Sequence, residues 1–108
     1  MEFQKLFDNV KEKTANFDAS AYDGFLAIQI TLKDLDKQFY LEIKDGILTV
    51  EPYEYVDRQA NLIISSANFV KLINGKLNSV LAFTTGKLKI EGDIGKAGEL
   101  SNILKKSL

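Results

Sequence analysis

Cysteine and histidine are both absent from this chain of 108 residues, which removes disulfides, thiolate nucleophiles, imidazole bases and the usual zinc ligands together. Most familiar catalytic constellations are thereby excluded. No apolar run approaches the ~18 residues that a membrane-spanning helix needs. A strong charge of one sign is missing too. The 14 basic and 15 acidic side chains are mixed along the chain for a net charge of −1, so there is no broad positive field to attract a phosphate backbone. Nucleic acid is not an expected partner, and no cofactor is implied. The opening Met1-Glu2-Phe3-Gln4-Lys5 mixes charged and apolar side chains instead of starting an apolar run. It does not read as a secretory signal, and a cytoplasmic location is the expectation.

What is present is ordinary for a globular domain: 45% hydrophobic and 27% charged residues argue against disorder. The expectation is a single domain over 1–108 with one modest core. Phe3, Leu6, Phe7 and Val10 recur at i, i+3, i+4 and i+7 and predict an amphipathic first helix, with Lys11 and Lys13 favourably placed near its C-terminal end. Asn16 to Gly24 reads as a loop around Phe17 and Tyr22.

From Phe25 to Leu32 the period changes to two. Leu26, Ile28, Ile30 and Leu32 fall on one face and Ala27, Gln29 and Thr31 on the other, which predicts a strand with one buried face. After the turn Asp34-Leu35-Asp36-Lys37, Phe39, Leu41 and Ile43 alternate in the same way. Asp45-Gly46 suits a two-residue hairpin that sets Ile43 opposite Leu48 and Leu41 opposite Val50. Pro52, the only proline, ends this third strand. Tyr53 to Arg58 reads as a charged, aromatic connection with part of its surface exposed. Asn61 to Ser65 is a fourth strand. Ser66 is the expected cap of a short helix carrying Phe69, Leu72 and Ile73, with Gly75 at its end. Asn78 caps the next helix, which carries Val80, Leu81 and Phe83 and is stopped by Gly86. A fifth strand, Lys87 to Glu91, is reset by Gly92, and Asp93 caps a last helix with Ala97, Leu100, Ile103, Leu104 and Leu108 at helical spacing. The fold class is α+β: about five strands in one largely antiparallel sheet, with helices over one face.

Several motifs resemble chemistry without completing it. The pairs Gly75-Lys76, Gly86-Lys87 and Gly95-Lys96 lack the upstream glycine and following hydroxyl of a phosphate loop. Gly92, Gly95 and Gly98 follow a strand and open a helix, yet too little chain follows for a βαβ unit. Asp34-Leu35-Asp36 lacks the rest of a calcium loop. Glu51, Glu54 and Asp57 have no partner group that would make them an acid and base pair.

The stretch Gly86-Lys87-Leu88-Lys89-Ile90-Glu91-Gly92-Asp93, preceded by Gly75-Lys76-Leu77 and Ala82-Phe83, resembles the C-terminal half of the sterol carrier protein 2 (SCP2) family. The resemblance extends over most of the chain from about Gly24, through the meander, the Ala60-Asn61-Leu62-Ile63-Ile64-Ser65 strand and the Phe69 to Gly75 helix. Two departures stand out. Asn78-Ser79 replaces a frequent Asp-Pro, and Thr84-Thr85 stand where Met or Gln is common, putting two hydroxyls near the expected cavity. The ending Lys106-Ser107-Leu108 is not the peroxisomal Ser-Lys-Leu and carries no peroxisomal reading.

The resemblance implies a sheet and helices enclosing an apolar cavity or tunnel. It also implies noncatalytic binding, or transfer between membranes, of a sterol, fatty acid, acyl-CoA or phospholipid, with transient membrane contact. An empty cavity of roughly 300 Å³ would cost about 7 kcal/mol, comparable with the whole stability of a domain, so the space is expected to hold ligand or be narrowed by side chains. The candidate lipid-binding residues are Phe69, Ile73, Val80, Leu81, Phe83, Leu88, Ile90, Leu100, Ile103 and Leu104, with the last helix as a movable lid. The lipid-binding protein is expected as a monomer or homodimer. Two alternatives stay open. One is a ligand-regulated or homodimeric interaction domain without carrier activity, dimerising through an exposed sheet face or the Tyr53 and Tyr55 loop. The other is an enzyme using Glu42 or Lys89, although both alternate away from the expected core.

Overall fold

The computed structural model describes residues 2–106, with side chains in the last helix up to Ile103. The chain runs α1 (Phe3–Thr14), a single 3-10 turn (Ala19–Ala21), β1 (Leu26–Leu32), β2 (Lys37–Lys44), β3 (Ile47–Glu51), β4 (Ala60–Ile64), α2 (Ser66–Ile73), α3 (Ser79–Thr84), β5 (Leu88–Gly92) and α4 (Ile94–Lys106). The strands form one sheet in the order β3-β2-β1-β4-β5, antiparallel except for the β1–β4 pair.

The meander has the expected register, with Ile43 opposite Leu48 and Leu41 opposite Val50. Its turn works because Asp45 and Gly46 take φ angles of 53° and 76°, the left-handed pair that matches the twist of the flanking strands. One strand pair is parallel because β3 and β4 run in the same direction on opposite sides of the β2–β1 pair. The chain from Pro52 to Gln59 must therefore cross the sheet.

That crossing corrects the expectation for β1. Its second face is not solvated: Ala27 and Gln29 are buried along with Leu26, Ile28, Ile30 and Leu32. The crossing segment lies over this face and is tied down by polar contacts. Tyr55 N–H donates to Gln29 Oε1 at 3.0 Å, the Tyr55 hydroxyl donates to Glu42 Oε2 at 2.7 Å, and the Tyr55 ring meets Tyr40 edge-on at 5.0 Å. Gln59 N–H donates to the Ala27 carbonyl at 2.8 Å, which leads the chain into β4. Burial of a central strand on both faces follows from topology, which the alternation of β1 taken alone does not reveal.

The helices share the opposite, apolar face. Leu6, Phe7 and Val10 of α1 and Phe69 and Ile73 of α2 are buried there, as the 3.6-residue period requires. The cap of α2 is Ser65, whose hydroxyl accepts from Asn68 N–H at 3.2 Å. Ser66, the expected cap, is the first helical residue; its N–H and hydroxyl both donate to the Asp34 carboxylate, at 2.8 and 2.6 Å. The acidic turn between β1 and β2 thus anchors the start of a helix. Asn78 caps α3 and Asp93 caps α4, as the sequence implies. Gly92 joins β5 to α4 at φ 93°, and a Cβ there would stand 2.6 Å from the Gln59 carbonyl oxygen, so the joint has room only for glycine.

Candidate functional site

The sheet register sets up the site. Phe39, Ile30, Leu62 and Ile90 lie in one row across β2, β1, β4 and β5 on the helix-covered face. At the β2 end the space above this row is filled by rings: Phe39 meets Phe7 at 5.8 Å and Phe69 at 5.6 Å, both edge-on. At the β5 end the side chains are smaller. There a cavity of about 180 Å³ remains between the sheet, α3 and α4.

Leu62, Leu88 and Ile90 give the cavity its sheet side. Val80 and Phe83 come from α3, Ile94, Ala97 and Gly98 from α4, and Leu72 from α2. Ser79 and Ser101 supply the hydroxyls in an otherwise apolar wall. Val80, Phe83 and Ile94 are 67%, 42% and 59% exposed, so the space opens to solvent between the two helices. A closed, empty void of this volume would cost about 4 kcal/mol. Opening toward solvent and ligand lessens that cost. The size matches an apolar cavity that holds a benzene-sized guest and falls below the roughly 300 Å³ of a pocket for a larger ligand.

Of the residues expected from sequence, Val80, Phe83, Leu88 and Ile90 are brought together on this cavity. Phe69, Ile73, Leu100 and Ile103 are buried in the core and do not line it. Leu81 is 61% exposed and likewise is not part of the lining. The side chains of Leu104 and Leu108 lie outside the described residues. Thr84 and Thr85 do not reach the cavity either: their hydroxyls donate to the Leu81 carbonyl at 3.1 and 2.7 Å, satisfying the end of α3.

Leu62, Leu72, Ser79 and four residues of α4 line the cavity without having been expected from sequence, and the α4 set had a signal. Ile94, Ala97, Gly98 and Ser101 recur at i, i+3, i+4 and i+7 and form one stripe of α4. Apart from Ile94 its side chains are small, and the stripe is overshadowed by the neighbouring buried pair Leu100 and Ile103. Gly98 is the most informative member. A Cβ built there meets nothing within 4 Å, so no close packing requires glycine at this mid-helix position. Glycine in a helix interior costs about 1 kcal/mol relative to alanine, and what it leaves here is open space.

The opposite sheet face carries a polar chain that is complete in itself. Gln29 Nε2 donates to Thr31 Oγ1 at 3.3 Å, Thr31 donates to Asn61 Oδ1 at 2.8 Å, and Asn61 Nδ2 donates to Glu91 Oε1 at 3.2 Å. Among the described residues no buried side-chain polar atom lacks a partner, and no cluster of three or more His, Cys, Asp or Glu side chains could hold a metal ion. Glu42 is engaged by Tyr55, and Lys89 is exposed on this face, away from the cavity. The chemistry the cavity offers is the exclusion of water around an apolar guest.

Residues 3–105 match the profile of the SCP-2 sterol transfer family. The chain belongs to that family. Among SCP-2 relatives, it is 29% identical over 107 residues to the oleate-induced peroxisomal protein POX18 of Candida maltosa, covering 96% of this chain and 84% of that protein. It is 37% identical over 71 residues to hydroxysteroid dehydrogenase-like protein 2 of Xenopus tropicalis, covering 61% of this chain and 16% of that one. The chain thus spans about a sixth of that larger protein. In three dimensions it resembles sterol carrier protein-2 like-3 of Aedes aegypti, with a TM-score of 0.73 at 15% identity, over 98% of both chains. The five-stranded sheet and its helices are therefore an SCP-2 fold. Lipid binding or transfer is the family's function. Among the described residues no helix is long and apolar enough to cross a membrane.

Proposed function

We propose that this SCP-2 chain, as a single domain over 1–108, is a noncatalytic carrier that takes one acyl chain of a fatty acid, acyl-CoA or phospholipid between its sheet and α3 and α4. The observation that carries the reading is the apolar cavity of about 180 Å³, walled by Leu62, Leu88, Ile90, Val80 and Phe83 and open between α3 and α4. Each CH₂ buried there contributes about 0.8 kcal/mol before ordering costs, so a flexible chain binds without a specific polar partner. A rigid four-ring sterol is too large a body for a cavity of about 180 Å³ to enclose, whereas a flexible acyl chain can place part of its length there from one end. Transfer then requires brief contact with a membrane, and the protein can act as a monomer.

The test is to extract the purified protein with organic solvent, identify copurified lipid by mass spectrometry, and titrate delipidated protein with a fluorescent fatty acid and a fluorescent sterol. Saturable fatty acid binding that exceeds sterol binding is expected. Absence of both copurified lipid and saturable binding would sink the carrier reading.

A further inference from the structure

The cavity mouth has an electrostatic setting that the near-neutral whole chain conceals. Residues 59–90 carry Lys71, Lys76, Lys87 and Lys89 and not one acidic side chain, although the chain as a whole has a net charge of −1. This acid-free run contains α3, which is itself uncharged, and Lys76 and Lys87 flank that helix with exposed side chains. Three acids adjoin lining residues, and each has a partner: Asp93 accepts from Lys96 N–H at 3.1 Å, Glu91 from Asn61 Nδ2 at 3.2 Å, and Glu99 from the Tyr22 hydroxyl at 2.7 Å with Lys96 Nζ at 3.4 Å.

Part of the exposed apolar surface lies in or next to this positive stretch. Val80, Leu81, Phe83 and Ile94 are exposed large hydrophobic residues, and three of the four also line the cavity. Leu81 is the odd member of this group: it is 61% exposed and does not line the cavity. An exposed apolar helix turn between two lysines fits the boundary between anionic headgroups and acyl chains. A protein partner would need acidic groups placed opposite both lysines; an anionic bilayer supplies negative charge wherever they land.

We propose that α3, through Leu81 and the flanking Lys76 and Lys87, is the surface on which the protein docks on an anionic bilayer, setting the cavity mouth against the acyl chains. The proposal rests on the reading of the cavity as a lipid site, since docking here aligns that opening with its cargo. Entry is then lateral, from the bilayer into the gap between α3 and α4, without the chain crossing water.

The experiment measures cosedimentation with vesicles of phosphatidylcholine alone and of an equimolar mixture with phosphatidylglycerol, at low and high salt. Binding is expected to the mixed vesicles only and to weaken with salt. The pair Lys76→Gln/Lys87→Gln should bind about 30-fold more weakly, and Leu81→Ser about tenfold. Neither change touches the cavity lining, so fluorescent fatty acid titration should be unchanged in both. Lys5→Gln/Lys11→Gln, on the exposed side of α1, is the control and should have a much smaller effect.

Equal binding to neutral vesicles, or a loss governed by Lys5 and Lys11 instead, overturns the proposal. So does a concentration-dependent dimer abolished by Leu81→Ser, which would assign the face to a second copy of the chain. Vesicle docking through α3 without fatty acid binding would overturn the carrier reading and leave the docking surface standing. Fatty acid binding without vesicle docking would do the reverse.

Discussion

The Tyr22 hydroxyl donates a 2.7 Å hydrogen bond to Glu99 Oε2, joining the loop before β1 to α4 across 77 positions of sequence. Lys96 Nζ reaches the same carboxylate oxygen at 3.4 Å. The bond holds the helix that supplies Ile94, Ala97, Gly98 and Ser101 to the cavity, so it acts as a latch on one wall of the site. Tyr22→Phe should lower stability by about 1 kcal/mol. It should also speed both amide exchange along α4 and release of a fluorescent fatty acid. Unchanged release alongside faster exchange would mean that cargo leaves by another route.

Gly98 sets stability against cavity volume. Gly98→Ala should raise stability by roughly 0.5–1 kcal/mol, because the helix gains propensity and the new methyl enters open space. Gly98→Leu should occupy the cavity and weaken fatty acid binding at least about tenfold while the protein stays folded. Thermal melts and ligand titrations of the two variants separate these effects.

The contact between Asp34 and Ser66 predicts an acid dependence. The Ser66 hydroxyl, and secondarily its N–H, hold the Asp34 carboxyl below its usual pKa. A depressed carboxyl contributes stability that is present above about pH 4 and is lost as pH falls through its folded value. Asp34→Ala should destabilise by about 1 kcal/mol at neutral pH, the usual worth of a side chain serving a helix start. The gap between variant and parent should narrow in denaturant melts taken below about pH 4.

The alkaline side is governed by the crossing segment. The hydrogen bond to the Glu42 carboxylate, helped by partial burial, pushes the Tyr55 phenol up to about 12. A raised phenol contributes stability that is complete below about pH 10 and is lost as pH rises through the folded value of about 12. Ultraviolet titration should show a late phenolate step that Tyr55→Phe removes and Glu42→Gln moves to lower pH.

Local chemistry explains which features were legible from sequence. The meander register followed from Asp45-Gly46 and the alternation of Leu41, Ile43, Leu48 and Val50, because turn and side-chain period constrain the same few residues. Asn78 and Asp93 were readable as caps for the same reason. The α2 cap was misplaced by one residue. Ser65 and Ser66 are chemically equivalent, and only the Asp34 carboxylate, 32 positions from Ser66, distinguishes their roles.

The cavity was only half legible. Apolar periodicity selects residues that face the core, and it does so equally for Leu100, which fills space, and Ile90, which borders it. Where large residues compete for one layer, the outcome depends on which rings meet. Phe39 packs against both Phe7 and Phe69 at the β2 end, which leaves the cavity at the β5 end.

By itself, then, the sequence determined the elements, the hairpin register, the apolar face and the family, because each rests on neighbours a few positions apart. Tertiary structure alone decided that β1 and β4 run parallel, that Tyr55 seals the second face, and that Gly98 faces open space while Leu81 faces solvent. Those outcomes depend on where the chain crosses the sheet and on which distant side chains share a volume, and no local pattern encodes either.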